Sequence, residues 1–554
     1  MNKFYLKDLI KFLKTNNINF EVFDPLELLD KFIVYNIFTD TRDVLNQVEE
    51  DKPKEYCTKE NRDSIFIAIK GEKFDSHLKL KEIVQNCKII FIEKTDFLTE
   101  DEDLISFCIS NKIIAIKSNN NRIIMAFLYK FKYDSIDEKL NIFAITGTDG
   151  KTSMVAVLHL IFSSLFGLSA SIGTLGVNLN GVKYDFKQTT PTTPEIKDIY
   201  FIFENLYKKG VKFIFIEATS IASVQKRLEG ISFDNLSFTT MTSDHLDFHK
   251  TLENYYNAKI AFIKQLANSK KDIKTIIYNL DDLNVNLIKQ ELKKFDNIIS
   301  FNYGYHKDSD FRVIETKYFN RLLNVKIEIS EKILSYYNIP ANKKIIEIDT
   351  NLIGKVNSYN IVHSVAQIFN YLIVHQKKDI NEFFIYIEKT KKIYKSLCIP
   401  GRMERIDYNN NDIFIDYAHT SDSLKNAILT LKDAGYKKIF TIMGCGGDRD
   451  KTKRPAMGRI ATELSDFVII TSDNPRNEEP DQIIKDILDG ITKENYLVEI
   501  DRYDAIKKGL DLLNKTRDHG ALLIAGKGHE DYQEIKGIKH HFSDKEVVQS
   551  LIKK

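Results

Sequence analysis

The sequence has little cysteine, and its cysteines form no recognisable pairing pattern. Five are scattered through 554 residues without a CxxC pair: Cys57, Cys87, Cys108, Cys398 and Cys445. This spacing argues against a disulfide framework and against a structural zinc site. Only Cys445 lies in a motif, between two glycines, where the expected role is that of a small residue in a tight turn.

A strong net charge and a long apolar run are also absent. Lys and Arg together number 80 and Asp and Glu 78, which leaves a formal net charge of +2 and no obvious basic stripe. No stretch reaches the roughly 18 uncharged apolar residues of a membrane helix. Charges interrupt the N-terminal MNKFYLKDLIKFLKT every few residues, so no signal-peptide core is expected there. We therefore expect a cytoplasmic monomer with no nucleic-acid partner and no membrane insertion.

The chain shows no internal repeat, and its length predicts about three domains. Boundaries near Ser135–Leu140 and at the Pro-Gly pair of Ile399–Gly401 predict parts spanning 1–139, 140–399 and 400–554. The charged stretch Asp43–Asn61 is typical of a solvated insertion.

Apolar runs alternate with helix-like segments such as Ser421–Asp433 and Pro480–Leu488, which predicts an α/β fold with mainly parallel sheets. The runs predicted as buried strands are Ser64–Ile69, Lys88–Ile92, Asn141–Thr146, Lys212–Ile216, Lys274–Tyr278, Ile413–Tyr417, Lys438–Met443, Phe467–Thr471 and Ala521–Ala525.

The segment NIFAITGTDGKTSMVAVLHLIF combines a strand, a glycine turn and a helix. Gly147 and Gly150 allow the backbone to fold around phosphate oxygens, and the N–H groups that begin the helix face the anion. Lys151 is predicted to reach the outer phosphates, and the Thr152 hydroxyl suits Mg²⁺. Because Ile145 replaces the first Walker glycine, this G-x-x-G-K-T variant predicts ATP or GTP binding without fixing the reaction.

Chemically useful side chains follow the next predicted strands. Glu217, in KFIFIEATS, stands at a strand's carboxyl end, where α/β sheets present ligands. In FTTMTSDHLDFH, His245 is predicted to bind a metal or substrate, whereas His249 is expected to be structural. Lys259 lies near the apolar side of the helix-like ENYYNAKIAFIKQL, and on spacing alone its amine is expected to extend to solvent.

Four predicted strands of the last part end in polar, glycine-rich motifs: IDYAHTSDSL, IMGCGGDRDKTKRP, TSDNPRNEEP and AGKGHEDYQ. Carboxyl ends of strands in an open sheet converge on one crevice, so these motifs are expected to form one site. Its arginines suit carboxylates and its acidic groups suit an ammonium, which predicts a zwitterionic ligand.

These motifs, together with TGTDGKTS, TTPTTPE, EATS and SDHLDFH followed by NAKIAF, occur in the order seen in the Mur ligase family. The chain resembles that family from about Phe38 to Val548. The resemblance implies three domains: an N-terminal UDP-sugar-binding α/β domain, a central P-loop-type ATPase domain and a C-terminal Rossmann-like domain for the amino acid.

The resemblance also implies binding roles for individual residues. ATP would be held by Gly147, Thr148, Asp149, Gly150, Lys151, Thr152, Ser153, Asn357, Arg402 and Asp416. The UDP-MurNAc-dipeptide would be held by Thr39, Thr41, Glu72, Lys73, Phe74, Thr192, Thr193, Thr219, Gln225 and Arg227. The amino acid would be held by Arg449, Asp473, Asn474, Pro475, Arg476, Gly526 and Glu530.

The catalytic set that the resemblance implies is Lys151, Glu217, His245 and Lys259. Thr152 and Glu217 would bind the Mg²⁺ on the ATP phosphates, and His245 and Lys259 would hold a second Mg²⁺. In this family the lysine is carbamylated by CO₂, and a carbamate is an anion that can bind a cation.

The chain departs from the family pattern at three places, where members commonly carry Asn, His and Asn: Asp149, Ile221 and Thr240. These departures concern fine substrate contacts and leave the phosphate loop and the metal set intact.

The implied reaction is a step of peptidoglycan precursor synthesis. ATP would phosphorylate the D-Glu carboxylate of UDP-MurNAc-L-Ala-D-Glu, and the amine of a diamino acid would attack the acyl phosphate. Arg476 favours meso-2,6-diaminopimelate because it can hold the distal carboxylate, while L-lysine and L-ornithine stay open. Two other readings are a folylpolyglutamate-synthase-like amide ligase and an inactive nucleotide-binding scaffold, which ATP turnover with a peptide acceptor would separate.

Overall fold

Three large sheets organise the chain, one in each predicted part. The computed structural model describes residues 3–25, 27, 29–40, 64–71, 75–83, 87–93, 98–186 and 190–553. The stretches that separate the sheets contain the predicted boundaries at 139/140 and 399/400, and the division into domains at those residues stays a prediction.

The N-terminal part is built on a sheet of order β2-β7-β6-β5-β4, parallel except for β2, and a short antiparallel pair, β1-β3. Its strands are β1 Phe4–Tyr5, β2 Phe20–Phe23, β3 Ile33–Val34, β4 Asn36–Phe38, β5 Ser64–Ile67, β6 Ile89–Glu93 and β7 Ile114–Ser118. Its helices are α1 Leu6–Thr15, α2 Leu80–Ile83, α3 Leu98–Ser110, α4 Asn121–Lys132 and α5 Ile136–Lys139, with a 3₁₀ turn at Ser76–Lys79.

The central part contains an eleven-stranded sheet of order β11-β10-β9-β12-β8-β13-β14-β15-β16-β17-β18. Its strands are β8 Asn141–Thr146, β9 Ser169–Gly173, β10 Gly176–Leu179, β11 Val182–Lys183, β12 Phe213–Glu217, β13 Asn235–Phe238, β14 Thr275–Asn279, β15 Ile299–Gly304, β16 Phe311–Phe319, β17 Leu322–Ile329 and β18 Ile345–Thr350. The run from β9 to β16 is parallel, and both edges are antiparallel.

Helices cover both faces of the parallel strands, which is why β8, β12, β13 and β14 are buried along almost their whole length. The central helices are α6 Lys151–Leu165, α7 Ile196–Lys208, α8 Ser220–Val224, α9 Leu246–His249, α10 Leu252–Ala267, α11 Val285–Leu292, α12 Glu331–Tyr336, α13 Lys355–Phe369 and α14 Ile380–Ser396. A 3₁₀ turn lies at Ala341–Lys343 and a π-helical turn at Asn370–His375.

The C-terminal part has a six-stranded sheet of order β19-β20-β24-β21-β22-β23, parallel except for β19, and a separate hairpin, β25-β26. Its strands are β19 Glu404–Tyr408, β20 Asn411–Asp416, β21 Lys438–Met443, β22 Phe467–Ile470, β23 Tyr496–Val498, β24 Gly520–Ala525, β25 Tyr532–Ile535 and β26 Ile538–His541. Its helices are α15 Ser421–Asp433, α16 Lys453–Leu464, α17 Pro480–Leu488, α18 Arg502–Lys515 and α19 Asp544–Ile552.

The C-terminal part meets the central part through the predicted Pro-Gly hinge. Gly401 has a φ of +64°, and a Cβ there would lie 2.2 Å from the backbone nitrogen of His529. A glycine is therefore required both by the backbone conformation and by the close packing of the hinge against the loop after β24. Within the described residues, no helix is long and apolar enough to cross a membrane.

Candidate active site

The phosphate loop joins β8 to α6, as predicted. Gly147 packs so closely on Thr239 that a Cβ at position 147 would lie 1.9 Å from the Thr239 hydroxyl. The Lys151 ammonium is partly buried beside the loop and donates to the carbonyls of Gly147 and Thr148 at 2.9 and 2.7 Å. Burial lowers the pKa of Lys151 from its usual value, while the carboxylates of Glu217 and Asp149 oppose that change.

Two of the departures from the family pattern contact each other. The backbone N–H of Asp149 donates to the Thr240 hydroxyl at 3.2 Å, and the N–H of Thr148 donates to the Thr240 carbonyl at 2.5 Å. The Thr239 hydroxyl donates to the Asp149 carbonyl at 2.6 Å. Thr239 and Thr240, which follow β13, thus hold the phosphate loop by its backbone N–H and carbonyl groups. These contacts do not depend on which side chain stands at position 149.

Glu217 lies at the carboxyl end of β12, adjacent to the phosphate loop. Its carboxylate accepts hydrogen bonds from the Thr152 hydroxyl at 3.1 Å and from the Thr174 N–H at 2.7 Å. The Thr174 hydroxyl also donates to it at 3.3 Å. Thr174 ends the strand-like SASIGT and was not predicted as a site residue, although the rule used for Glu217, a polar residue at a strand's carboxyl end, would have found it.

Mg²⁺ prefers oxygen ligands and binds to proteins through one or two carboxylates together with substrate phosphates and waters. The hydroxyl and carboxylate oxygens of Thr152 and Glu217, adjacent to a phosphate loop, fit that requirement. In the described part of the chain no group of three His, Cys, Asp or Glu side chains is arranged to hold a metal by itself. A cation here would therefore complete its coordination with phosphate oxygens, hydroxyls and water.

Lys259, on α10, is only 1% exposed, so the expectation from spacing alone, that its amine extends to solvent, is wrong. The amine donates to the Gly147 carbonyl and lies 4.6 Å from the centre of the Tyr255 ring. Burial and the neighbouring Lys151 ammonium hold the pKa of Lys259 well below its usual value. The Tyr255 hydroxyl in turn contacts the Thr148 hydroxyl at 2.8 Å.

The two histidines of SDHLDFH lie in different surroundings. His245 directly precedes α9 and has the left-handed conformation, with φ +49°. Its side chain is 48% exposed, and its Nε2 lies 3.4 Å from the Asp244 carboxylate. Within the described contacts it forms no hydrogen bond or ion pair with Glu217 or Lys259. His249 is buried and its Nε2 lies 2.9 Å from the Ser220 hydroxyl, as befits a structural histidine.

The residues expected to hold the peptide substrate gather beside Glu217. The Thr193 hydroxyl donates to the Glu217 carbonyl at 2.8 Å and contacts the Thr219 hydroxyl at 3.1 Å. Thr192 contacts Thr174 at 3.2 Å, and Arg227 donates to the Thr193 carbonyl at 3.2 Å. Gln225 follows α8 in the same region.

The N-terminal assignments lie mostly outside the described residues: Thr41, Glu72, Lys73 and Phe74. Thr39 is described, and it follows β4 in a partly buried position. Its contact with a UDP group stays a prediction.

Three residues expected around ATP lie toward the C-terminal part. The carboxylate of Asp416 accepts from the N–H groups of Met403 and Ala418 at 2.7 and 2.8 Å, and burial raises its pKa. The Arg402 guanidinium lies over the Tyr417 ring, 4.8 Å from its centre. Asn357, near the start of α13, donates to the Ile353 carbonyl at 2.6 Å and accepts from Asn360 at 2.8 Å.

The carboxyl ends of β21, β22 and β24 converge, as predicted, on one pocket. Asn474 donates to the Glu530 carboxylate at 2.8 Å. A Cβ at Gly526 would lie 2.4 Å from the Asp473 carboxylate, and one at Gly447 would lie 1.9 Å from the Pro475 carbonyl. The pocket therefore needs glycine at both positions.

Two arginines meet at the same pocket. A Cβ at Gly446 would lie 2.9 Å from a guanidinium nitrogen of Arg476 and 3.8 Å from Cγ of Arg449. Arg476 donates to the Gly447 carbonyl at 2.8 Å, while the side chain of Arg449 is exposed. Two arginine side chains that approach Gly446, on loops next to those of Asp473 and Glu530, suit a zwitterionic ligand.

A buried ion pair, not predicted from the sequence, fixes the strand ends that carry this pocket. The Arg502 guanidinium donates to both carboxylate oxygens of Asp544, at 2.7 and 2.8 Å. It also donates to the carbonyls of Ser472 and Ala525 at 3.4 and 3.0 Å. Those residues directly precede Asp473 and Gly526, so the pair holds two pocket strands at a fixed spacing.

The central and C-terminal parts meet directly at the candidate site. The Lys183 ammonium, on edge strand β11 of the central sheet, lies 3.6 Å from the Asp531 carboxylate. Burial, with the charges of Arg402 and Lys183, lowers the pKa of His529 to about 4, so its imidazole is neutral at neutral pH. The loop that carries Glu530 thus contacts an edge strand of the central sheet.

A cavity of about 470 Å³ lies elsewhere, between β16-β17 and the amino ends of β20, β21 and β24. Its lining includes Arg321, Tyr436 and His519. Because the predicted site residues lie at the opposite, carboxyl ends of these strands, this cavity is not part of the candidate active site.

Comparison with known proteins agrees with this arrangement. The sequence matches the Mur ligase middle domain over residues 145–368 and the glutamate ligase domain of Mur ligases over residues 401–528. It is 33% identical over 492 residues to the UDP-N-acetylmuramoyl-L-alanyl-D-glutamate--2,6-diaminopimelate ligase of Clostridium perfringens, covering 88% of this chain and 92% of that relative. It is 31% identical over 534 residues to the Clostridium botulinum protein of the same name, covering 95% and 99%.

The fold is similar to a solved structure of a UDP-N-acetylmuramoyl-L-alanyl-D-glutamate--2,6-diaminopimelate ligase, with a TM-score of 0.64, 24% identity and coverage of 98% of both chains. Both catalytic domains of one family are therefore present in a single chain, with relatives matched over nearly their whole length, and the protein belongs to the Mur ligase family of ATP-dependent amide ligases.

Proposed function

We propose that the chain joins the D-Glu carboxylate of UDP-MurNAc-L-Ala-D-Glu to an amine of meso-2,6-diaminopimelate, with ATP cleaved to ADP and phosphate. The names of the relatives support both substrates. The observation that carries the proposal is the position of Glu217, whose carboxylate accepts from the Thr152 hydroxyl beside the phosphate loop.

In the first half-reaction, a carboxylate oxygen of the acceptor peptide attacks the γ-phosphorus of ATP, and ADP leaves. The protein's task is to position the two groups and offset their negative charge. Lys151 would turn from the loop carbonyls to the phosphates, and Thr192, Thr193 and Arg227 would hold the acceptor beside them. Mg²⁺, held by Thr152 and Glu217, would supply further charge neutralisation.

In the second half-reaction, the neutral amine attacks the acyl carbon and phosphate leaves from the tetrahedral intermediate. The pocket of Arg449, Asp473, Asn474 and Glu530 would orient the amino acid. Exclusion of water matters, since an acyl phosphate hydrolyses readily if the amine is absent. The close packing of the hinge on the loop after β24 supports a closed site of this kind.

We further propose that Lys259 acts as a carbamate. Its lowered pKa supports this, because only the neutral amine attacks CO₂, forming an N–C bond and releasing one proton. The carbamate oxygens and His245 would then bind a second Mg²⁺. The exposed position of His245 means that it would have to turn toward Lys259 in the substrate complex.

The choice of amine would be made by Arg476. Its guanidinium suits the distal carboxylate of diaminopimelate, a group that L-lysine and L-ornithine lack. Selection of diaminopimelate would therefore depend on this one side chain and the groups that hold it.

The test is phosphate release from ATP in the presence of UDP-MurNAc-L-Ala-D-Glu, with meso-diaminopimelate, L-lysine and L-ornithine assayed in parallel. We expect release with diaminopimelate alone. Release only with L-lysine or L-ornithine would keep the ligase and overturn the amine. Absence of phosphate release with all three amines would overturn the proposed function. Release with folylpoly-γ-glutamate substrates instead would indicate the alternative amide ligase, and release without any acceptor would indicate a simple ATPase.

A further inference from the structure

A buried carboxylate to which no role has yet been given lies directly after the hinge. Glu404, the first residue of β19, is only 4% exposed. One of its carboxylate oxygens accepts from the Gly401 N–H at 2.8 Å, and the other lies 2.6 Å from the Lys545 ammonium on α19. Glu404 therefore closes the hinge turn, residues 401–404, and connects it to the last helix of the chain.

Through Gly401, this contact reaches the loops at the candidate site. The Gly401 carbonyl accepts from the N–H of Tyr417, which follows β20, at 2.9 Å. A Cβ at Gly528, in the loop after β24, would lie 3.0 Å from the same carbonyl oxygen and 2.8 Å from Cβ of Tyr417. The hinge turn is thus packed between the end of β20 and the loop that carries Glu530, so a change in its conformation would displace that loop.

The neighbour of Lys545 in the sequence holds the other side of the same region. Asp544 pairs with the fully buried Arg502 guanidinium, which donates to the carbonyls of the residues before Asp473 and Gly526. Successive residues of a helix point about 100° apart, so Asp544 and Lys545 extend in different directions from one turn. The first turn of α19 therefore connects the hinge turn with the ends of β22 and β24.

Lys545 supplies the charge that the buried carboxylate needs. Burial would lower the pKa of Lys545, yet the Glu404 carboxylate raises that pKa above its usual value, so the amine is charged. Among the described residues, Lys545 is the one cation paired with Glu404, and its side chain is 45% exposed. A buried carboxylate without a counter-charge is unfavourable. Loss of the Lys545 charge is therefore expected to displace Glu404 toward solvent and to release the Gly401 N–H.

We propose that Lys545 is a positioning residue for the ligase reaction, which acts through Glu404 and Gly401 and contacts no substrate. By holding Glu404, it keeps the hinge turn in the conformation that packs the loop after β24 against the end of β20. The closed site then excludes water from the acyl phosphate until the amine attacks. This inference rests on the proposed function, because it takes an acyl phosphate as the intermediate.

The test measures two products of one reaction, the phosphate released from ATP and the amide formed with meso-diaminopimelate. A loosened hinge admits water, which hydrolyses the acyl phosphate to the free carboxylate and phosphate, so phosphate is released without an amide. A smaller amount of folded enzyme lowers both products equally and leaves their ratio unchanged. The ratio of phosphate to amide therefore separates a positioning role from a purely structural one.

We expect Lys545→Met to lower kcat for amide formation about tenfold and to raise the ratio of phosphate to amide at least about twofold. Lys545→Arg, which keeps the charge, should restore both quantities to near the wild-type values. The Kd for ADP should change by less than about twofold in both variants, because the phosphate loop is untouched. Lys553→Met is the matched control, since Lys553 lies exposed at the other end of the same helix.

A double variant tests whether Lys545 acts through the charge of Glu404. In Glu404→Gln the side-chain oxygen can still accept from the Gly401 N–H without carrying a charge. Addition of Glu404→Gln to Lys545→Met should therefore recover most of the lost kcat, whereas independent sites would give additive losses. If Lys545→Met gave no folded protein, the double variant would decide, and an inactive double variant would overturn the proposal.

Unchanged kcat and an unchanged ratio in Lys545→Met would also overturn the proposal. So would a lower melting temperature of Lys545→Met with an unchanged ratio, because Lys545 would then only stabilise the fold. A wild type that forms no amide would contradict the proposed function instead. A wild type that forms the amide, together with either of these results in Lys545→Met, would contradict the role of Lys545 alone.

Discussion

Lys151 and Lys259 donate hydrogen bonds to the same acceptor, the carbonyl oxygen of Gly147. Two ammonium groups so close together repel each other, and Lys259 is buried while Lys151 is partly buried, so the neutral form of Lys259 is favoured. Lys259 is the residue whose pKa is held well below the usual value, with Lys151 as a named cause after burial. The phosphate loop is therefore adjacent to an amine whose neutral form is favoured more strongly than that of an exposed lysine.

We expect Lys259→Ala to lower ATP turnover at least a hundredfold, because the variant lacks the amine that would become the anionic metal ligand. Binding of ADP should change far less, since Lys151 and the loop glycines remain. The measurements are steady-state phosphate release and ADP binding by calorimetry. Lys264→Ala, an exposed lysine of the same helix, is the control, and a fully active Lys259→Ala would end the metal-bridging role.

Wild-type activity should depend on dissolved CO₂. Because the pKa of Lys259 is lowered, its amine stays neutral as the pH falls from 10.5 toward that lower value, and carbamate formation is lost only below it. Phosphate release should therefore drop in CO₂-depleted buffer at neutral pH and return on addition of bicarbonate. If bicarbonate did not change the rate of phosphate release by the wild type in CO₂-depleted buffer, the proposal that Lys259 is carbamylated would be contradicted.

Gly401→Ala should lower catalytic activity as well as stability, because the substitution adds a steric clash to the strain of a positive φ. The new Cβ would lie 2.2 Å from the His529 nitrogen and would force the hinge away from the loop that carries Glu530. Gly435→Ala is the matched control, because Gly435 has a φ of +89° with nothing within 4 Å of its Cβ position. We expect Gly435→Ala to cost about 1–2 kcal/mol of stability with little change in kcat/KM.

For Gly401→Ala we expect a fall in kcat/KM of more than tenfold for the amino acid, in addition to a similar loss of stability. Amino-acid kinetics and urea unfolding of the two variants distinguish these effects. Equal kinetics in both variants would show that the close contact at the hinge has no role in catalysis.

The central part should lose stability as the pH falls from 7 to 5. His159 accepts from the Gly181 N–H through Nε2 at 2.8 Å and contacts the Ser169 hydroxyl through Nδ1 at 2.8 Å. Burial lowers its pKa to about 4, whereas the unfolded chain takes up a proton near 6.5. The unfolded state therefore binds more protons in this window, and the difference destabilises the fold by about 2 kcal/mol at pH 5 relative to pH 7.

Urea unfolding at pH 7 and pH 5 measures this effect. In His159→Gln the side-chain oxygen can accept from Gly181 without titrating, so the pH dependence should shrink by about that amount. His306→Gln, with an exposed side chain, is the control and should keep the wild-type dependence. An unchanged dependence in His159→Gln would contradict the assignment.

The parallel sheets could be predicted because their strands are buried on both faces. All nine predicted apolar runs are strands, with ends shifted by no more than two residues, and Ser421–Asp433 and Pro480–Leu488 are helices at the predicted bounds. The antiparallel extension of the central sheet, β16 to β18, was not predicted. Its strand β17 alternates between buried and partly exposed residues, so it lacks the continuous apolar run that was sought.

The site residues that lie in recognisable motifs could be predicted from the sequence. The residues that support them through contacts between distant segments could not. Glu217 lies at its predicted strand end, and Asn474 meets Glu530 across two strands. Thr174 was not predicted, because its strand, Ser169–Gly173, was not among the predicted apolar runs and the rule used for Glu217 was not applied there. Glu534 was not predicted, because a glutamate in a hairpin is common in any sequence. Only the fold shows that the first holds Glu217 and the second faces Arg476.

The ion pair of Arg502 and Asp544 joins helix α19 to the strands that carry the amino-acid pocket. Asp544 begins the last helix, yet its carboxylate is fully buried against a guanidinium that spaces two pocket strands. Loss of the last eleven residues would leave that guanidinium buried without its counter-charge, at a cost of about 3–5 kcal/mol. A nick by a protease, or a stop codon that spares every substrate contact, would therefore inactivate the enzyme from its far end.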